Sequence, residues 1–238
     1  MAKQKAIIEV PGGEKTVLLH TCCAPCSSAI IECLMKNGIT PVIYYCNPNI
    51  YPREEYEIRK EECTRYAKAL GLEIVDADYD HDNWLKEVAG LEGEPERGGR
   101  CLKCFKIRLY RTAQYAAQRG IGAITTTLAS SRWKSLEQIN EAGQWACGVV
   151  RGDFSTALEM TEEAPEMTEE VPEMTEEVPE MTGEMLDMTE EVLDMKGPVW
   201  WDQNWRKGGL QERRLQIIKE YDFYNQLYCG CEFSMTSR

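Results

Sequence analysis

Seven of the eleven cysteines of this chain fall in three tight groups: His20-Thr-Cys22-Cys23-Ala-Pro-Cys26, Cys101-Leu-Lys-Cys104 and Cys229-Gly-Cys231. The first two lie nearly eighty residues apart, so they meet only in a fold that brings them together, and four thiolates meeting at a point bind iron–sulfur or zinc. Two thiols with one residue between them, as at Cys229 and Cys231, can close into a small strained disulfide ring that is easily reduced, a plausible electron store.

A chain of 238 residues is one domain with elaborations. Its N-terminus lacks the apolar stretch of a signal peptide and no run reaches about eighteen apolar residues, so the expectation is a soluble, cytoplasmic protein with no membrane partner and mostly reduced cysteines. The formal charge of −13 is misleading. Fifteen of the forty acidic residues fall between Glu159 and Met195, where there is no Lys or Arg, leaving 25 acidic against 27 basic residues elsewhere. A body near +2 does not exclude RNA as a partner.

That acidic segment repeats in sevens, as Glu-Met-Thr-Glu-Glu-Ala-Pro from Glu159 and Glu-Met-Thr-Glu-Glu-Val-Pro from Glu166 and Glu173. Met160, Ala164, Met167, Val171, Met174 and Val178 are spaced like a coiled-coil seam. Pro165, Pro172 and Pro179 oppose a helix, at about 3 kcal/mol each. The reading is a flexible acidic insert over 158–196, with a short helix permitted over Leu186–Met195, dividing a core at 1–157 from a C-terminal extension at 197–238.

In the core, apolar runs alternate with amphipathic stretches. Strands are expected at Thr16–His20, Pro41–Cys46, Leu72–Asp76 and Ala123–Leu128. Helices are expected at Ser27–Lys36, Glu54–Leu70, around Trp84–Val88, at Cys101–Gln118 and at Leu136–Cys147, with Gly38, Gly71 and Gly120 as stops. Short connections in this order imply an α/β fold, a parallel sheet flanked by helices. Ligands bind such sheets beyond the carboxyl ends of the strands. The cysteines at 22–26, the Asn47–Arg53 loop and Ser130–Ser135 should therefore surround one cleft.

Cys101 and Cys104, three apart at a helix start, share one face where the helix dipole favours thiolates. Alone, such a pair is a redox dithiol, half a zinc site or two core residues. The adjacent Cys22 and Cys23 are unusual for structural zinc, and Cys33, Cys46, Cys63 and Cys147 read as core residues. His20 and His81 are the only histidines, which disfavours multi-histidine zinc hydrolases and serine–histidine chemistry. No GxxxxGK[ST] phosphate loop is present.

The motif at His20–Cys26, Gly-Gly-Arg-Cys101-Leu-Lys-Cys104, Trp205-Arg-Lys-Gly-Gly209 and Tyr228-Cys229-Gly-Cys231-Glu-Phe-Ser234 together resemble QueH-type epoxyqueuosine reductases, across the whole chain apart from the insert. The resemblance implies a nucleotide-hydrolase-like (HUP/PP-loop-like) Rossmannoid domain with a C-terminal helical extension. It implies reduction of epoxyqueuosine to queuosine at the wobble position of tRNA, without cobalamin. It further implies a 4Fe–4S cluster on Cys22, Cys23, Cys101 and Cys104, a redox-active disulfide of Cys229 and Cys231, an external electron donor, and a second iron near Cys26. A base drawn from the anticodon stack needs aromatic and basic residues at the cleft mouth. Tyr51, Arg53, Arg132, Trp133, Lys134, Trp205, Arg206 and Lys207 are the candidates, Arg206 and Lys207 for phosphate. Two other readings compete: a general thiol–disulfide oxidoreductase using Cys101 and Cys104, and a zinc-stabilised RNA-binding module without catalysis.

Overall fold

In the computed structural model, which describes residues 8–153, 197–226 and 228–234, β1 spans Thr16–His20 and Val17, Leu18 and Leu19 have no exposed surface. A strand apolar at successive positions must be covered on both faces. It is the centre of the sheet. β2 (Thr40–Tyr45) and β4 (Ala123–Thr126) pair with it in parallel on either side, so that Leu18 lies level with Val42 and Ile124. β3 (Ile74–Asp76) pairs with β2 and β5 (Val199–Trp200) with β4, giving a five-stranded parallel sheet of order β3-β2-β1-β4-β5.

The helices are α1 (Ala24–Lys36), α2 (Arg53–Ala69), α3 (His81–Glu87), α4 (Gly99–Gln118), α5 (Leu136–Val150) and α6 (Leu210–Glu220). α1 starts three residues before the expected Ser27 because Pro25 occupies its first turn, where a missing N–H is harmless. The expected strand to Leu128 stops at Thr126. There the Thr126 hydroxyl accepts from the Leu128 N–H and the chain turns into a short 3-10 helix, Thr127–Ser130.

The fifth strand lies in the C-terminal segment, whose Trp200 and Trp205 reach the core. The Trp200 ring fills the space a side chain at Gly143 would need, with a Cβ there only 2.2 Å from the indole. Trp205, which the sequence leaves open between an RNA contact and a core position, is 1% exposed and its Nε1 donates to Thr125 Oγ1 at 3.4 Å. It is a core residue, because the segment after β5 crosses over β4 instead of lying on the rim.

The chain runs β1, β2, β3 outward on one side and returns to β4 on the other. Between β1 and β4 lies a topological switch point, where loops leave in opposite directions and open a crevice. His20 lies level with both Tyr44 and Thr126, so the loops after β1, β2 and β4 emerge together. The acidic insert and the possible helix at Leu186–Met195 lie outside the described residues. Among the described residues, no helix is long and apolar enough to cross a membrane.

Candidate active site

The base of the crevice is a set of buried polar struts. His20 Nε2 lies 3.1 Å from the Cys46 carbonyl and its Nδ1 lies 2.7 Å from Thr126 Oγ1. A carbonyl can only accept, so Nε2 carries the proton and Nδ1 accepts from the Thr126 hydroxyl. Burial, helped by the Arg108 charge, pushes His20 down to about 3, so the ring is neutral. Arg108 of α4 donates to the Cys46 carbonyl and to Asn47 Oδ1, and Asn47 Nδ2 donates to the Thr21 carbonyl at 2.9 Å. Three strand ends and one helix are thus tied together.

Above these struts is a cavity of about 1030 Å³ lined by Cys22, Cys26, Cys101, Cys229 and Cys231. Cys22, Cys23 and Cys26 form the one group of possible metal ligands found among the described residues, with their sulfurs within 4.8 Å of one another. The position follows from the turn: β1 ends at His20, and the Cys23 backbone begins α1. Thr127, from the loop after β4, accepts from the Cys22 N–H at 3.2 Å and donates to Cys22 Sγ at 3.4 Å. Contacts with the Cys23 and Cys26 thiols hold Cys22 well below the usual thiol range, while burial holds Cys23 well above it. Gln226 Nε2 donates to Cys23 Sγ at 2.7 Å from the C-terminal segment.

Cys101 lines the cavity and accepts from the Arg97 N–H at 3.3 Å. Cys104 is 7% exposed and packs with Trp84, Val88 and Cys231. Neither belongs to the 4.8 Å group. The expected thiolate bias at this helix start is not realised at Cys101, because burial raises it against the Arg97 hydrogen bond. Cys46, Cys63 and Cys147 are buried core residues, as expected.

Cys229 and Cys231 are thiols on a clamped loop. Arg59, itself paired with Glu55 at 2.6 Å, donates to the carbonyls of Cys229 (3.2 Å) and Tyr228 (3.4 Å). The Tyr51 N–H donates to the Gly230 carbonyl at 2.8 Å, and the Tyr228 hydroxyl to the Tyr51 carbonyl at 2.7 Å. Gly230 has φ +105, and a Cβ there would sit 2.9 Å from Arg59 Nη1. Lys134 Nζ lies 2.8 Å from Cys229 Sγ.

The rim candidates separate by role. Tyr51 is exposed, stacks on His81 with ring centroids 5.6 Å apart, and braces the Cys229 loop through its backbone. Arg132 and Trp133 are exposed on the cavity wall, their charge and ring stacked at 4.7 Å. Lys134 points into the cavity, and Arg206 spends its guanidinium on the carbonyls of Ser131 and Lys134. Lys207 and Arg53 are exposed but do not line the cavity. The wall carries eight cationic residues against one acidic residue, Glu96, a positive field within an acidic chain. Asn47 lies in the loop expected at the cleft, whereas Arg59, Arg97, Arg108, Arg214 and Gln226 are not singled out by the sequence. Arg108 was within reach, because 101, 104 and 108 share a helix face; the others are tertiary contacts without a local signal.

Fold and cavity define an α/β protein with a thiol-rich, cation-lined site at the switch point of a parallel sheet. A family model described as epoxyqueuosine reductase QueH matches residues 17–170 and 180–237. Proteins named epoxyqueuosine reductase QueH resemble the chain in several bacteria. The Histophilus somni protein is 39% identical over 228 residues, 96% of this chain and 75% of the relative. The Acinetobacter baylyi protein is 36% identical over 235 residues, 99% and 87%, and that of Thermotoga maritima 28% over 226 residues, 94% and 92%. The chain belongs to the QueH epoxyqueuosine reductase family.

Proposed function

We propose that this protein reduces epoxyqueuosine to queuosine at the wobble position of tRNA, in the cytoplasm. The observation that carries the reading is the cavity, in which five of the motif cysteines meet beneath a cationic wall. Epoxide deoxygenation consumes two electrons and two protons and releases the oxygen as water. Thiols can store the electrons, and the wall can accept a base drawn from the anticodon together with its phosphates.

The donor chemistry fits a thiolate-bound metal group. Sulfur-only ligands select iron–sulfur or zinc, and Cys22, Cys23 and Cys26 already lie within 4.8 Å of one another. We assign Cys22, Cys23, Cys101 and Cys104 as holders of a 4Fe–4S cluster. Cys101 and Cys104, which lie outside the close group, would complete the set of four thiolates. Cys26 is left as a ligand for a second iron. Bound there, the group supplies single electrons and Lewis acidity toward the epoxide oxygen. Cys229 and Cys231 are the redox-active pair, recharged by an external electron donor. Arg132 contributes charge at the mouth, Tyr51 and Lys207 a ring and a charge further out, and Arg206 holds the 131–134 loop.

Organisation supports the same reading: residues 197–238 supply Arg206, Arg214, Gln226, Cys229 and Cys231 to the cavity region, so the extension completes a site begun by 1–157. The test is expression in a bacterium lacking its own epoxyqueuosine reductase, with nucleosides from total tRNA read by mass spectrometry. Queuosine should appear with the wild type and epoxyqueuosine should persist with Cys22→Ser. Persistence with well-expressed wild type would refute the reading. For the cofactor, protein purified without oxygen should hold about five iron and four sulfide per chain, the cluster's four iron and four sulfide being lost in Cys101→Ala; zinc alone would refute the cluster.

A further inference from the structure

Cys229 and Cys231 stand in different surroundings. Both line the cavity, but Cys229 Sγ lies 2.8 Å from Lys134 Nζ, while Cys231 is 8% exposed and packs against Trp84, Val88 and Cys104. Both partners of the contact are fixed from behind. Arg206 Nη2 donates to the carbonyls of Ser131 and Lys134 at 2.5 and 2.8 Å, and Arg97 to those of Arg132 and Trp133 at 3.0 and 2.9 Å. Arg59 and Tyr51 hold the backbone of the sulfur's own loop. A lone rotatable lysine would turn to water; this one is carried to a sulfur by a braced loop.

We propose that Lys134 is a catalytic residue of the reduction: it holds Cys229 as the thiolate, so that the pair gives up its electrons through Cys229, and it carries one of the two protons consumed. This rests on the reading of Cys229 and Cys231 as the electron store. In the reduced state one proton sits on Cys231 Sγ and one on Lys134 Nζ. Closure of the Cys229–Cys231 bond releases two electrons and those two protons. The epoxide takes up all four, both its carbon–oxygen bonds break, a carbon–carbon double bond forms, and the oxygen leaves as water. Oxidation removes the negative charge at Cys229, leaving the ammonium beside Arg108 without its anion, which favours proton release at that moment.

The charged and titratable groups facing Cys229 are Lys134, Arg108 of α4, Cys22 after β1, Cys101 and Cys231. Burial pushes Cys229 up, but Lys134 and Arg108 outweigh it and leave the thiol below its ordinary range.

The test is iodoacetamide alkylation of the reduced, metal-loaded protein across pH, resolved for Cys229 by peptide mass spectrometry, in the wild type, Lys134→Gln and Lys134→Arg. Lys134→Gln should move the Cys229 profile to higher pH and slow alkylation at pH 7 by about tenfold. Lys134→Arg should keep the profile near wild type, yet lose single-turnover rate about tenfold or more, because a guanidinium keeps its proton. An unchanged profile in Lys134→Gln would overturn the thiolate assignment, and full turnover in Lys134→Arg the proton assignment. Cys231→Ser, assayed for one turnover without added reductant, separates the underlying reading: conversion there would refute the electron store whatever Lys134 does.

Discussion

His20 carries the acid sensitivity of the site. It is buried neutral with a value near 3, against 6.5 in the unfolded chain. Below pH 6.5 the unfolded chain takes up a proton that the folded chain refuses. The stability this neutral ring contributes is therefore complete above pH 6.5 and falls as pH drops toward 3. At roughly 1.4 kcal/mol per pH unit, urea unfolding should show a loss of about 2 kcal/mol between pH 7 and pH 5. Glu32, held near 2 chiefly by Arg213, adds its own loss only below its ordinary 4.5. His20→Asn should flatten the interval between pH 7 and pH 5; an unchanged slope would place the sensitivity elsewhere. At Gly230 the demand is conformational. Gly230→Ala meets positive φ as well as Arg59 and Ile50 within 3.0 Å, so it should shift the Cys229 sulfur and cut turnover about tenfold, with a stability loss of roughly 1–3 kcal/mol. Wild-type turnover would show that the loop tolerates a second conformation.

Elements differed in how clearly their residues announced them. β1 was legible because Thr16–His20 is an apolar run of strand length, and α2 because Tyr56, Cys63, Tyr66 and Ala67 recur on one face and are buried there. The cleft followed from topology, since parallel strands deliver their loops to one edge. β5 was not legible: two residues after Gly197-Pro198 carry no periodicity, and Val199–Trp200 is a strand only because the β4 edge receives it. The site divides in the same way. Its cysteines are visible as motifs, whereas Gln226 reaches Cys23 across 203 positions, a distance no local pattern spans. The join between α5 and β5 has a direct test. Gly143→Ala would put a methyl group 2.2 Å from the Trp200 ring, so thermal and urea unfolding should report a loss of about 1–3 kcal/mol. A neutral effect would mean that β5 can shift without cost.

At the scale of the whole molecule, the described residues on either side of positions 154–196 lie next to each other. Arg151 Nη1 donates to the Pro198 carbonyl at 2.9 Å, and a Cβ at Gly197 would lie 2.8 Å from Arg151 Cγ. The family match also breaks between 170 and 180, inside the repeat. Joining Ala157 to Lys196 should therefore give a protein that folds and keeps its turnover; a folded but inactive protein would assign the repeat a part in the reaction. Removal of the epoxide oxygen from tRNA-borne epoxyqueuosine is assigned to the cysteine-lined cavity. The most direct measurement is anaerobic incubation of purified, iron-replete protein with epoxyqueuosine-containing tRNA and dithionite, followed by nucleoside mass spectrometry. The expected result is queuosine, one oxygen lighter, formed by the wild type and absent with Cys22→Ser. Unchanged epoxyqueuosine from wild-type protein carrying its full iron and sulfide would contradict the account.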